Sequence, residues 1–342
     1  MQSLKLAAFV FLSLSLVLTA CGGQPTPAAA TAPAVQPTTA PTEAGQALSI
    51  VDGTGQTLTF DAPPQRIICL YSRCMETLAA LGVEPLAIAP WSFMVALAEN
   101  PQYFEQPNEI VVLKDAGGDV DLEEIAALEP DLVLGWEEIR TGLDGIAPVY
   151  VVSDEMDSYQ ESLEEIREFA ALLGREAQAE ASIAAFEDRL AAYQQLAPKD
   201  RSVMYVGGTQ NEIYVRDGES GTCNLFKEVA ECAWPDPENA ATWSFVTSME
   251  GLLEFNPDVI LLESWDADYP DTEALLAVLA ENPLWQELAA YQNDRIFPVV
   301  SDAKDLDGMG TIGGSRLLDN YLPLIYPEVF PEPLTEAQVQ EL

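Results

Sequence analysis

Apolar residues in this chain follow two rhythms that alternate along its length. From Leu48 to Phe60 (LSIVDGTGQTLTF) apolar and polar positions take turns around Asp52-Gly53 and Gly55, which predicts a β-hairpin ended by Pro63-Pro64. Arg66–Leu70 (RIICL) is a continuous apolar run of strand length, Tyr71-Ser72-Arg73 a tight loop, and Met75–Leu81 a helix closed by Gly82. A second strand over Leu86–Ala89 completes a βαβ unit, whose strands should lie parallel with their terminal loops at a binding crevice. A helix over Leu122–Leu128 and strands over Leu132–Leu134 and Val149–Val152 continue the alternation.

Between Tyr159 and Leu196 the rhythm is helical throughout. Leu163, Ile166, Ala170 and Leu173 share one face before Gly174 interrupts, and Ile183, Phe186, Leu190 and Tyr193 share a face of a second helix, Glu176–Leu196. At 1.5 Å per residue this helix is roughly 30 Å long, enough to bridge two lobes. Pro198 stops it, and Ser202–Val206 (SVMYV) opens a new strand. Strand and helix signals continue at Val259–Leu262, Glu273–Glu281, Ile296–Val300 and Ser315–Ile325. One passage repeats: DLEEIAALEPDLVL from Asp121 aligns without a gap on SMEGLLEFNPDVIL from Ser248. In both copies Asp or Ser can cap a short helix, Glu123 or Glu250 falls in its first turn, and Pro-Asp launches a strand. Two α/β lobes on one plan are the simplest inference.

Ahead of the hairpin this patterning is absent. Lys5 precedes an apolar stretch, Leu6–Leu18, diluted by Ser13 and Ser15 and shorter than the ~20 residues a spanning helix needs, so it reads as a secretion signal. Leu18-Thr19-Ala20-Cys21 resembles the bacterial lipobox, which implies cleavage before Cys21, acylation of its thiol and anchorage to a membrane surface. Gly22–Gln46 is mostly Ala, Thr and Pro with Glu43 its only charge, too polar to offset its ordering entropy. The expected organisation is a signal peptide over 1–20, a disordered lipid-anchored linker over 21–46, an N-terminal lobe over 47–174, a bridging helix over 175–197 and a C-terminal lobe over 198–342.

Composition narrows the chemistry. With 15 basic against 56 acidic residues the net charge is −41, and loss of Lys5 with the signal makes it −42. Such a field keeps an exposed protein soluble, repels nucleic acid, and demands a local basic group for any anionic ligand. There is no histidine, which excludes Ser-His-Asp and Cys-His catalysis, zinc sites with His ligands and imidazole pH switches. Beyond Cys21, the four cysteines Cys69, Cys74, Cys223 and Cys232 allow three full pairings, and spacing does not choose among them. Cys69, in its apolar run, reads as a buried thiol rather than a bridged one.

The hairpin, Pro64-Gln-Arg-Ile-Ile-Cys-Leu-Tyr-Ser, Glu76-Thr-Leu-Ala-Ala-Leu-Gly and Leu122-Glu-Glu-Ile-Ala-Ala-Leu-Glu-Pro-Asp-Leu-Val, in this order around a bridging helix, resemble the periplasmic binding proteins of iron-siderophore, haem and cobalamin importers. The likeness runs from about Ala47 to about Pro323. It implies a class III architecture, α/β with two Rossmann-like lobes joined by a single long helix, and a ligand held in the cleft between them. It also implies docking: Glu123 and Glu250 match the glutamates, one per lobe, that pair with arginines of an ABC permease. Each could instead serve only its own helix dipole.

Strand-end loops supply the candidate ligand site: Tyr71, Ser72, Arg73, Trp91 and Trp136 in the first lobe, and Tyr214, Arg216, Trp243, Trp265 and Asp302 in the second. Aromatic faces suit a planar or macrocyclic guest, and Arg73 and Arg216 could meet the oxygens of a chelate. The ligand expected is a ferric siderophore, with cobalamin or haem as alternatives, and the partners are an ABC permease and, through the anchor, a membrane. A monomer at the cell surface or in the periplasm, without cofactor or protein-held metal, is expected. The sequence departs from the family at Tyr71-Ser72-Arg73-Cys74, where a Ser-Pro loop is commoner, and at Trp234-Pro-Asp-Pro, where a Gly-Gly turn is, and it has no His or Tyr cluster for haem. Two other classes compete. A surface glycosidase could use paired carboxylates, but Glu123 and Glu250 open helices in separate lobes instead of converging. An adhesive protein would show exposed repeats and no closed pocket.

Overall fold

The computed structural model describes residues 48–105, 109–153, 158–216, 221–232, 244–264, 268, 271–299 and 310–342. The expectations for the leader, Cys21 and the linker, and for Trp243, Trp265 and Asp302, lie outside these residues. The chain opens as the alternation predicts, with β1 (Leu48–Val51) and β2 (Thr57–Phe60) antiparallel in the register Leu48↔Phe60. Asp52 accepts the Thr54 and Gln56 amides at 2.9 Å each, and this closes the turn.

Next come β3 (Ile67–Cys69), α1 (Ser72–Ala80), β4 (Ala87–Ile88), α2 (Ser92–Glu99), β5 (Val111–Val112), α3 (Leu122–Ala127), β6 (Leu132–Gly135), α4 (Glu137–Gly142) and β7 (Val149–Val151). The strands form one parallel sheet in the order β5-β4-β3-β6-β7. Every residue of β3 and β6 is buried, the reason a central parallel strand reads as an unbroken apolar run. Two helices follow, α5 (Tyr159–Leu173) and α6 (Glu176–Leu196). Ser158 caps the first by accepting the Glu161 amide, and Gly174 ends it in the left-handed region at φ 66°.

The second half contains β8 (Ser202–Gly208), β9 (Ile213–Arg216), α7 (Gly221–Phe226), β10 (Glu231–Cys232), β11 (Ser244–Thr247), α8 (Met249–Phe255), β12 (Val259–Ser264), α9 (Thr272–Leu279), α10 (Ala289–Gln292), β13 (Ile296–Pro298), α11 (Thr311–Ile325) and α12 (Glu336–Glu341). Its sheet runs β11-β9-β8-β12-β13, with β10 also on β8; β9 is antiparallel to both neighbours and the other pairings are parallel. Among the described residues the protein is therefore α/β, with two larger sheets flanking α6 in sequence and the β1–β2 hairpin as a third.

The internal repeat is structural. Asp131 accepts the Gln65 and Arg66 amides at 2.8 and 2.7 Å, and its counterpart Asp258 accepts the Ser202 amide at 2.9 Å. Each Pro-Asp thus fastens the start of the neighbouring strand, β3 in one half and β8 in the other. The residues two before them, Glu129 and Asn256, both take positive φ, at 47° and 42°. A shared turn explains why the two passages align without a gap.

The long α6 buries Ile183, Phe186, Leu190 and Tyr193, the face read from spacing, together with Ala179, Arg189 and Ala192. Arg189 pairs with Asp319 on α11 at 2.8 Å and with Glu336 on α12, so its buried charge is compensated. The start of α11 meets α6 and α1 together. The Gly313 amide donates to the buried Glu76 carboxylate at 3.0 Å, and Tyr103 donates its hydroxyl to the same group. A Cβ on Gly313 would lie 2.6 Å from Glu76 Oε1 and one on Gly314 2.7 Å from the Phe186 ring, so a larger residue at either position would have to displace the side chain it meets. The halves are therefore coupled by α11 as well as by α6.

Two sequence readings are corrected. Ser72 and Arg73 are not loop but the first turn of α1, where polar residues carry no apolar period. Cys69 is buried as expected, yet it is bridged to Cys74, and Cys223 is bridged to Cys232. The reversal from β3 into α1 brings the first pair to a Cα separation of 5.8 Å, within reach of a disulfide.

Candidate functional site

Three neighbouring parallel strands, β4, β3 and β6, each deliver the chain into a helix through an aromatic residue. Tyr71 precedes α1, Trp91 precedes α2 and Trp136 precedes α4; all three have extended backbones, and none caps its helix with its side chain. A Ser, Thr, Asp or Asn at an N-cap contributes about 1 kcal/mol over an apolar residue. Elsewhere the chain uses that option at Asp121, Ser158, Ser248, Asp271 and Thr335, and forgoes it at Arg175, Leu288 and Gly310. What sets this sheet edge apart is that its three uncapped helix starts are each entered through an aromatic residue.

The indoles of Trp91 and Trp136 stack with ring centroids 5.8 Å apart and planes inclined by 25°, and Phe93 stacks on Trp91 at 5.7 Å. All three are half-buried. Phe93 escaped the sequence reading because α2 was not recognised; the apolar run Phe93–Leu97 was its signal. Beside this row, Tyr71 lies under the Arg73 guanidinium, 5.9 Å from ring centroid to carbon. Burial pushes the Tyr71 phenol well above its ordinary value, and the neighbouring Arg73 only partly offsets this.

Arg73 is engaged within its own half. It donates to the Ser153 carbonyl and its Nε lies 3.4 Å from Glu165 on α5, with the side chain 12% exposed. Glu165 also accepts from Thr77 at 3.2 Å. Burial raises the Glu165 carboxyl above its ordinary 4.5, while Arg73 and then Thr77 pull it down. An acid whose folded value is raised contributes stability that is complete below the unfolded value and lost as pH rises through the folded one. Glu165→Gln should therefore gain stability relative to wild type between about pH 4 and about pH 7. Urea midpoints at both ends test this, and a relative stability that falls with rising pH would contradict it.

In the other half Tyr214 is half-exposed on β9, its hydroxyl 3.3 Å from Glu212, and Arg216 ends that strand opposite Ser244. The structure thus assembles Tyr71, Ser72, Arg73, Trp91 and Trp136 at one sheet edge and places Tyr214 and Arg216 on a separate sheet.

Glu123 and Glu250 occupy equivalent first-turn positions of α3 and α8, and both are exposed. Capping is done by other groups: Asp121 accepts the Glu123 and Glu124 amides at 2.9 and 3.2 Å, and Ser248 accepts the Gly251 amide at 3.1 Å. Glu124, the other first-turn acid of α3, pairs with Lys114 at 3.3 Å. Glu123 and Glu250 have no ion pair among the described residues. No helix among those residues is long and apolar enough to cross a membrane.

The family model described as periplasmic binding protein matches residues 67–303. FecB, the Fe(3+) dicitrate-binding periplasmic protein of Escherichia coli K12, is 26% identical over 251 residues, covering 72% of this chain and 80% of that one. YhfQ of Bacillus subtilis 168, provisionally named an ABC transporter substrate-binding lipoprotein, is 25% identical over 255 residues, covering 69% and 76%. Among solved structures, the triscatecholate siderophore binding protein FeuA of Bacillus subtilis, complexed with ferri-bacillibactin, superposes with a TM-score of 0.64 at 20% identity. That match covers 84% of this chain and 99% of the other, and concerns the fold alone.

Proposed function

Since this chain belongs to the periplasmic binding protein family, we propose that it is the substrate-binding lipoprotein of an ABC importer, capturing a ferric siderophore and presenting it to the permease. The observation that carries this reading is the aromatic row Trp91, Trp136 and Phe93 at the carboxyl edge of the first sheet, where open α/β sheets place ligands. Stacked half-buried rings offer flat apolar surface to the organic rim of a chelate. The N-termini of α1 and α2, not capped by Tyr71 and Trp91, turn backbone N–H groups toward the same edge, where they favour chelate oxygens. This local positive potential answers the acidic field of the whole chain. FecB supports an iron-chelate ligand by its name, and the lack of histidine weighs against haem.

In this reading residues 47–174 and 198–342 are the two lobes, 175–197 the bridge, and Tyr214, Arg216, Trp243, Trp265 and Asp302 the far wall of the cleft. Glu123 and Glu250 dock on permease arginines. Acylated Cys21 holds a monomer to the outer side of a membrane through the 21–46 linker, and the protein turns over no substrate.

Titration of the apo protein with ferric citrate, ferric catecholate and hydroxamate siderophores, cobalamin and haem tests the ligand class. An iron chelate should quench tryptophan fluorescence with a micromolar or lower Kd. Saturation by cobalamin or haem with silence toward every iron chelate would overturn the assignment.

A further inference from the structure

The Cys69–Cys74 disulfide encloses Leu70, Tyr71, Ser72 and Arg73, so three of the proposed ligand residues sit within one small covalent ring. Its position is specific. Cys69 is the last residue of β3 and Cys74 lies in the first turn of α1, so the bridge spans the strand-to-helix turn at the site. Both sulfurs approach the Tyr71 carbonyl oxygen, at 3.3 Å from Cys69 and 3.1 Å from Cys74. The same turn is secured on either side. The Leu70 amide donates to the Leu134 carbonyl at 3.0 Å, and Arg73 is tied to Ser153 and Glu165.

Global stabilisation is a weak reason for such a bridge. The stabilisation a cross-link draws from the unfolded chain grows with the loop it closes, and a sequence separation of 5 is short. Switching is a weak reason too, because Cys69 is 0% and Cys74 3% exposed, out of reach of a thiolate attacking the folded protein. What the bridge does is local. Tyr71 forgoes a capping side chain, and the turn that presents it must be held by something else. We infer that the Cys69–Cys74 disulfide is a permanent positioning element for ligand recognition, fixing the turn that presents Tyr71, Ser72 and Arg73 beside the Trp91–Trp136 stack. A site held in its bound shape spends less ordering entropy on binding.

This inference rests on the proposed ligand site, and its test separates the two. C69A/C74A is compared with wild type in amide hydrogen exchange of the segment from residue 69 to residue 80 in the apo protein, and in affinity for the ferric chelate that binds wild type most tightly. Exchange in the segment should accelerate while the sheet core stays protected, and affinity should fall about tenfold. Should C69A/C74A not fold, C69V/C74A, which refills the volume of one sulfur, takes its place. Unchanged exchange overturns the positioning role whatever binds. Faster exchange with unchanged affinity overturns its part in recognition. A wild-type protein that binds none of the chelates overturns the ligand reading, and the recognition role with it.

Discussion

E123A/E250A should bind the ferric chelate within about twofold of wild type, while uptake into cells carrying the cognate permease falls about tenfold or more. The two effects separate because of where these side chains sit. Both are exposed, and Asp121 and Ser248 already cap the helices they open. Removing them leaves no buried group without a partner and costs only the few tenths of a kcal/mol of an exposed charge near a helix dipole. Neither touches the aromatic row. Charges at such rims act on encounter rate and register, so the loss should appear in transport and in its salt dependence. E123R/E250R should transport still less, since like charges would face the permease arginines. Radioactive iron uptake alongside fluorescence titration measures both quantities, and undiminished import by E123A/E250A would end the docking assignment.

Replacement of Trp91 or Trp136 by alanine should weaken chelate binding about tenfold or more each, the scale of a buried aromatic anchor at ~2 kcal/mol. Because the two indoles stack at 5.8 Å, each truncation also exposes a face of the other, and the losses should not add. A double-mutant cycle should show a coupling of about 0.5–1.5 kcal/mol. Far-UV circular dichroism should stay native, since both rings are half-buried at a sheet edge and the strands beneath are packed by Ile68, Ile88 and Leu134. Unaltered affinity in both single variants would place the ligand elsewhere.

Some of this was legible because its causes are local. The helix Glu176–Leu196 has the bounds its periodicity and Pro198 indicate, and Gly174 separates it from α5 as only a residue at ease with positive φ can. Buried parallel strands announced themselves as apolar runs because both faces are covered. The repeat exposed Glu123 and Glu250 because the same cap and the same Pro-Asp fastening recur 127 positions apart. Other elements had no such signal. Two-residue strands such as β5 are too short for a period, and α2, apolar on nearly every face, carries little of one.

By itself the sequence determined the class of fold, the long connecting helix and the capped first turns of α3 and α8, since each follows from neighbours within a few positions along the chain. Only the tertiary structure decided that Cys69 joins Cys74, that Arg73 spends its charge on Glu165, that Glu76 receives the start of α11, and that Trp91 lies against Trp136. These depend on where the path of the chain brings side chains together, and a hydrophobic pattern records that a residue is buried without recording against what.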